Sequence, residues 1–157
     1  IIYDRTNNLG KVKYNDKNYH TSRILRFYTE KDTFKKKPEK EFEIIYKKIK
    51  KNKKYKSSLK DIILFETLES DGIIVPKELI DQKIIKNNLP PPELLNLSKN
   101  NETGLLLLRI VELIGEDEIL DLDSQTIYFI NHLLIQSGIK RFSNRILTTA
   151  LPERSEI

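Results

Sequence analysis

The chain has 157 residues, a formal net charge of +5 and no cysteine. This length fits a single domain with an ordinary hydrophobic core, which needs no disulfide or metal for stability. The lack of cysteine excludes a disulfide scaffold, a thiolate zinc site, an iron–sulfur cluster and a cysteine nucleophile.

The apolar stretches are short. Residues 105–108 and 127–130 are runs of four, whereas a transmembrane helix needs about 20 apolar residues. We therefore expect a soluble chain without a membrane span. The sequence starts at Ile1 rather than at methionine, so we expect a fragment or a processed form, and the cellular compartment is left open with a reducing interior as the default.

Charge is distributed unevenly along the chain. Residues 1–30 carry +3, residues 31–60 carry +9, residues 61–137 carry −9 and residues 138–157 carry +2. The basic part is densest at 47–56, where seven of ten residues are lysine. These are Lys47, Lys48, Lys50, Lys51, Lys53, Lys54 and Lys56.

The lysine-rich segment 47–56 is the candidate binding surface. A dense basic run is typical of sites for phosphates, and hence for nucleic acid, or for acidic protein surfaces. The alternative is a solvated helix face followed by a loop. This alternative is favoured by the lack of arginine between Arg26 and Arg109, because nucleic-acid-binding proteins usually add arginine or stacking aromatics.

The first elements differ in the clarity of their patterns. Residues 1–20 mix tyrosines with small polar residues and predict an irregular arm with short extended pieces. From Thr21, apolar positions up to Tyr28 predict a short helix. After Pro38, which suits the first turn of a helix, an apolar stripe predicts an amphipathic helix. The stripe consists of Phe42, Ile45, Tyr46 and Ile49.

The middle of the chain contains several helix boundaries. Ser57 or Ser58 can cap a helix that ends at Gly72, and its short connection to the preceding helix predicts an antiparallel hairpin. Residues 73–75 then lead into a short helix that ends near Lys83, or form an extended linker or brief strand. The prolines at 90–92 mark 84–92 as a candidate internal boundary and precede a helix at 93–98.

Three further helices are predicted after residue 100. Residues 105–114 are almost wholly apolar and are predicted to form the most buried helix, which ends at Gly115. Asp123 can cap the next helix, which ends at Gly138. The last helix places Phe142, Ile146, Leu147, Ala150 and Leu151 along its apolar side.

These patterns predict an all-α fold of antiparallel helix pairs. The pairs can form an α-solenoid or an irregular helical bundle. The predicted organisation is an irregular N-terminal arm, residues 1–20, followed by a helical domain, residues 21–157.

Two segments resemble parts of tetratricopeptide-like helical repeats. Residues 41–72 and 138–153 resemble the second helix, loop and following first helix of such units. Ile49 and Leu151 take the same late apolar position, and Ala150 takes a small packing position. The offset between Ile49 and Leu151 is 102 residues, three times the tetratricopeptide period of about 34.

The resemblance covers about half of the chain. It departs from the family pattern at Lys48, where a small residue is usual, and at Lys53, where a loop proline is usual. No intact unit occupies residues 73–103. The resemblance implies an α-solenoid, a class that usually binds other proteins along a concave face.

The sequence contains no catalytic or metal-binding motif. None of the patterns GxxxxGK[ST], GxGxxG, GxSxG and HExxH occurs. His20 and His132 have no partner at helical spacing, and for His132 we predict a structural role bonded to a neighbour. The acidic residues of 116–123 do not fit a calcium loop and are interpreted as helix-capping residues. We expect no catalytic residue, no cofactor, no metal and no enzymatic activity.

The leading hypothesis is therefore a non-catalytic helical scaffold or adaptor that binds another protein. One alternative is binding of nucleic acid or an acidic surface through residues 47–56. The other is a structural subunit of a larger assembly, in which basic and acidic parts dock on neighbours or on copies of the chain.

Overall fold

The structure is a computed structural model that describes residues 11–13, 18–28 and 36–155. These residues form an all-α fold, as the sequence predicts, together with short 3-10 helices and one pair of three-residue strands. The α-helices of this part are α1 (Lys36–Lys51), α2 (Leu59–Ser70), α3 (Gln82–Asn87), α4 (Pro92–Lys99), α5 (Thr103–Ile114), α6 (Ser124–Gln136) and α7 (Lys140–Ala150).

Several predicted helix boundaries are confirmed. Ser58 caps α2 by accepting a hydrogen bond from the Asp61 backbone N–H at 3.1 Å, and the Asp61 carboxylate accepts one from the Ser58 N–H at 3.5 Å. Asp123 caps α6 by accepting from the Thr126 N–H at 2.9 Å. Such caps satisfy backbone donors that have no partner within the first turn of a helix. Gly72, Gly115 and Gly138 follow helix ends with positive φ angles.

Helix α6 lies at the centre of the described fold and packs against α2, α4, α5 and α7. The contact between α2 and α6 joins elements that are far apart in the chain. In a solenoid each unit contacts mainly its neighbours, so the described helices form an irregular bundle with a shared core. The α2 and α6 side chains in this core are Ile62, Ile63, Leu64, Phe65, Leu68, Ile127, Tyr128, Ile130, Leu133 and Leu134.

A chain of buried polar groups links α2, α6 and α7. The Asn131 amide donates to the Thr67 hydroxyl at 3.1 Å, and the Asn131 carbonyl accepts from the Ser143 hydroxyl at 2.6 Å. The Thr67 hydroxyl in turn donates to the Ile63 carbonyl at 2.8 Å. Because unpaired buried polar groups are destabilising, these bonds require the three helices to pack in one register.

The structure corrects the expectation that residues 105–114 form the most buried helix. Helix α5 buries only Leu106 and Ile110, whereas Leu105, Leu108 and Val111 are 44%, 63% and 64% exposed. The helix packs on α4 and α6 along one side, so the other side faces outward. A helix that is apolar all round gives no periodicity from which its buried side can be read.

The region between α2 and α4 also differs from the sequence prediction. The single short helix expected to end near Lys83 is divided into a 3-10 helix, Lys77–Leu79, and α3, which Asp81 caps. Residues 73–75 form neither helix nor strand, and alternate between buried and exposed. This alternation is typical of an extended linker, one of the alternatives that the sequence left open.

The N-terminal part packs on the bundle through two 3-10 helices, Tyr19–Thr21 and Arg23–Tyr28, where the sequence predicted one short helix from Thr21. Ile24 and Leu25 are fully buried, and the second 3-10 helix contacts α1 and α7. Strand β1 (Lys11–Lys13) pairs antiparallel with β2 (Glu153–Ser155). The rest of the predicted arm, apart from residues 18–20, lies outside the described residues.

Candidate functional site

The lysine-rich segment begins in the last turns of α1 and continues through the loop to α2. Lys47, Lys48, Lys50 and Lys51 belong to the helix, and the other three lysines follow it. All seven side chains are exposed. Lysines near a helix C-terminus also interact favourably with the helix dipole, so part of this pattern has a structural explanation.

The two tyrosines of this region are engaged within the chain. Lys50 Nζ lies 4.5 Å from the centroid of the Tyr46 ring, and the Tyr46 hydroxyl donates to Glu78 at 2.7 Å. The Tyr55 ring packs edge-on against Tyr19, with centroids 5.2 Å apart. These contacts leave the segment with exposed charge rather than with free stacking platforms of the kind that single-stranded nucleic acid uses.

A buried carboxylate, that of Asp61, lies at the end of the lysine-rich segment. Its Oδ1 accepts hydrogen bonds from the backbone N–H and from Nδ1 of His20, both at 2.9 Å. Its Oδ2 accepts from the Tyr55 hydroxyl at 3.0 Å and from the Ser58 N–H. All of these groups donate hydrogen bonds, so together they stabilise the ionised form of Asp61.

The same contacts shift the pKa of the Asp61 carboxyl group and the pKa of the Tyr55 hydroxyl group. Burial opposes ionisation of Asp61, but the hydrogen bonds and the charge of His20, with the bond from Tyr55, outweigh burial and hold the pKa of Asp61 below its ordinary value. Burial and the neighbouring Asp61 charge raise the pKa of Tyr55. The carboxylate is therefore the charged member of this pair.

Two cavities adjoin this cluster and share His20. One, of about 320 Å³, is lined by Lys54, Lys56, Tyr55 and Asp61 among others. The other, of about 500 Å³, includes Lys60. Because Asp61 engages Nδ1, the Nε2 atom of His20 is the ring nitrogen left for a ligand.

A second candidate surface is the apolar face of α5, formed by Leu105, Leu108 and Val111. Arg109 lies beside it, pairs with Glu112 at 2.8 Å and lies 3.7 Å from Glu93. No lysine or arginine occurs between residues 110 and 139. The exposed acidic side chains that follow this face are Glu112, Glu116, Asp117, Glu118, Asp121 and Asp123.

His132 has the structural surroundings that the sequence predicted. Its Nδ1 lies 3.5 Å from Glu66 Oε2, and its ring stacks on Tyr128 with centroids 5.5 Å apart. The Tyr128 hydroxyl donates to the same glutamate at 3.3 Å. Glu66 is thus the neighbour that pairs with this histidine between α2 and α6.

Within residues 11–13, 18–28 and 36–155, no three histidine or carboxylate side chains are grouped so that they could hold a metal ion. No helix among those same residues combines the length and apolar character needed to span a membrane.

The sequence predicted the lysine-rich segment as a candidate surface. It did not predict the Asp61 cluster or the exposed apolar face of α5. The Ser58 to Asp61 spacing indicates a capping box, yet His20 lies 41 residues from Asp61, and no local pattern links them. For α5, only the packing of α4 and α6 determines which side stays exposed.

Comparison with protein-family models, curated proteins and solved structures found no match to this chain. The tetratricopeptide-like resemblance therefore stays a prediction.

Proposed function

We propose that this protein is a non-catalytic helical scaffold or adaptor, and that it binds an amphipathic helix of another protein through the apolar face of α5. The observation that carries the proposal is the exposure of Leu105, Leu108 and Val111 on one helix. Clustered exposed apolar side chains with a charged border are typical of protein interaction sites.

The spacing of this face suits a helical partner. Leu105, Leu108 and Val111 follow one another at intervals of three residues, which places them along one side of α5. A partner helix with apolar residues at i, i+3, i+4 and i+7 can pack on such a stripe. Arg109 and Glu112 follow Leu105 and Leu108 by four residues each, so their ion pair adds polar groups to the same side.

The exposed acidic residues after the apolar face indicate which charge the partner should carry. The exposed acids of residues 112–123 follow the apolar face without an intervening basic residue. A basic border on the partner helix would therefore be attracted, and an acidic border would be repelled. The proposed occupant is an amphipathic helix whose apolar stripe is flanked by lysine or arginine.

The two alternatives have less support. For nucleic acid, the lysine-rich segment supplies charge, but Tyr46 and Tyr55 are engaged within the chain. For a structural subunit, segment 47–56 of one copy and the acids of 112–123 of another are complementary in charge. The exposed apolar side chains of α5 favour a partner that supplies apolar side chains of its own. The lysines and loop residues of segment 47–56 do not supply them.

Titration with two designed helical peptides tests the proposal. Both carry leucine at i, i+3, i+4 and i+7, and one has lysines and the other glutamates at the border. We expect saturable binding of the lysine-bordered peptide alone, measured by fluorescence anisotropy. Substituting both Leu108→Asp and Val111→Asp should lower its affinity at least about tenfold, because these changes put charge into the apolar contact.

The matched control is Ile74→Asp, which changes an apolar side chain that is 91% exposed and lies outside α5. This variant should bind the peptide as the native chain does. Equal losses in both variants, or equal binding of both peptides, would contradict a specific site on α5. A mass that doubles at low salt and halves at high salt would instead favour self-assembly through the charged segments.

A further inference from the structure

We propose that the cavity beside His20 is a binding site for a phosphate group, either as free phosphate or as a small phosphomonoester. The cavity lies between the 3-10 helix Tyr19–Thr21 and the loop that joins α1 to α2. This site is separate from the apolar face of α5 and uses two of the seven lysines.

The cavity wall carries more positive than negative charge. Lys54 and Lys56 line it, and both side chains are exposed. Asp61 is the acidic residue on the wall, and His20, Tyr55 and Ser58 all donate hydrogen bonds to it. The two ammonium groups outnumber the single carboxylate, which its own donors stabilise, so the cavity wall carries a net positive charge.

Hydrogen bonds to Asp61 fix the orientation of His20. Both its backbone N–H and its Nδ1 are bonded to Asp61 Oδ1, which fixes the ring against the start of α2. In its doubly protonated form, an imidazole that donates to a carboxylate through Nδ1 can donate to a ligand oxygen through Nε2. His20 would then donate to a phosphate oxygen.

The cavity has the volume and the hydrogen-bond donors that a phosphate group needs. A volume of about 320 Å³ exceeds the space that a phosphate group occupies. The Ser58 hydroxyl, which accepts from the Asp61 N–H, can donate its own proton into the cavity. Two ammonium groups, one imidazole and one hydroxyl match the several acceptor oxygens of a phosphate monoester.

Titration of the full chain with inorganic phosphate tests this site, with chloride at equal ionic strength as the control for screening. We expect saturable changes in the NMR signals of His20 and Ser58 with phosphate and none with chloride. Phosphoserine should produce the same changes if the site takes phosphomonoesters, and binding of phosphate alone would restrict it to the free ion.

Two pairs of substitutions distinguish a built site from diffuse charge. Lys54→Gln with Lys56→Gln should weaken phosphate binding at least about tenfold, because each lysine supplies a charge-assisted hydrogen bond. Lys47→Gln with Lys51→Gln removes the same charge from the same segment outside the cavity, and should change the affinity less than about twofold.

His20→Asn provides an independent check. The asparagine amide can still donate to Asp61 in place of Nδ1, but it lacks Nε2, so phosphate binding should weaken while the thermal midpoint stays close to that of the native chain. No saturable phosphate binding by the native chain would overturn the proposal. Equal weakening by the two lysine pairs would overturn it too, as would tighter binding of an oligonucleotide without terminal phosphate that depends equally on both pairs.

Discussion

Asp61 connects three parts of the chain at the scale of single residues. It caps α2 through Ser58, holds His20 of the N-terminal segment and accepts from Tyr55 of the loop after α1. A buried acid with this many donors stabilises the folded state only while it is ionised. The N-terminal segment and the lysine-rich loop therefore depend on the same carboxylate.

Replacing Asp61 with asparagine removes the charge and turns one acceptor into a donor. We expect Asp61→Asn to lower the free energy of unfolding at pH 7 by about 1–3 kcal/mol, because buried donors lose their acceptor. Urea unfolding followed by circular dichroism measures this change. Ser57→Ala, on the same loop, is the control, and its unfolding free energy should stay near that of the native chain.

The effect of this substitution should depend on pH. The folded state holds the pKa of Asp61 below the ordinary value of 3.8, so its stabilisation is present above that value and is lost as the pH falls through the folded-state pKa. The difference in unfolding free energy between native and Asp61→Asn chains should therefore shrink below about pH 4. A difference that stays constant from pH 7 to pH 3 would contradict this account.

The buried Asn131 is the second residue with a large expected effect. Asn131→Ala leaves the hydroxyls of Thr67 and Ser143 without their partner, and should lower the free energy of unfolding by about 2–3 kcal/mol. Asn96→Ala, at an exposed position of α4, is the matched control and should change it by less than about 0.5 kcal/mol. Similar effects of the two substitutions in chemical denaturation would disprove the buried polar chain.

At the scale of elements, α5 is the helix whose sequence and environment disagree. Its residues are apolar on nearly every side, but only Leu106 and Ile110 are buried. Natural sequences usually place polar residues on the solvent side of a helix, and departures from this rule often coincide with functional surfaces. This disagreement is the reason for assigning a binding role to α5 rather than to a helix with a polar outer face.

Alanine substitutions on the two sides of α5 test this orientation. Leu106→Ala should lower the free energy of unfolding by about 2–5 kcal/mol, because it leaves a cavity in the core. Leu108→Ala should change it by less than about 0.5 kcal/mol, since that side chain is already largely exposed. Thermal or chemical unfolding of the two variants in parallel is sufficient, and a larger loss for Leu108→Ala would mean that the helix is rotated.

How far the sequence predicts the elements depends on where the determining contacts lie. The cap at Asp123 and the turn at Gly138 were predictable, and the cap of α2 was narrowed to Ser57 or Ser58, because each needs only residues within one turn. The 3-10 form of residues 23–28 was not, because it depends on packing against α1 and α7. The exposed side of α5 was unpredictable for the same reason.

At the scale of the whole molecule, the all-α class follows from helical periodicity, but the arrangement of helices does not. Local patterns predict that α6 exists, yet its contacts with α2 link residues such as Asn131 and Thr67, 64 positions apart. Likewise, the lysine-rich segment was visible as composition, whereas its relation to His20 and Asp61 required the folded chain. Contacts between residues that are far apart in the chain cannot be predicted from the local patterns of a single sequence.

The part of the molecule that the structure describes thus carries both proposed surfaces, the cavity beside His20 and the apolar stripe on α5. Exposed apolar stripes bind through burial, which is only weakly sensitive to salt, whereas charge contacts are screened. Salt dependence therefore separates the two proposed activities. A peptide complex on α5 should retain most of its apolar contribution at high salt, and phosphate binding should weaken.

Site-specific photocrosslinking in cells of the source organism tests the central claim, protein binding through α5, most directly. A photoreactive amino acid is placed at Leu108 or, as the control, at Ile74, both of which are highly exposed. We predict a discrete crosslink to another polypeptide from position 108, and none of that mass from position 74. No crosslink from position 108, or the same products from both positions, would contradict the assignment of α5 as the docking surface.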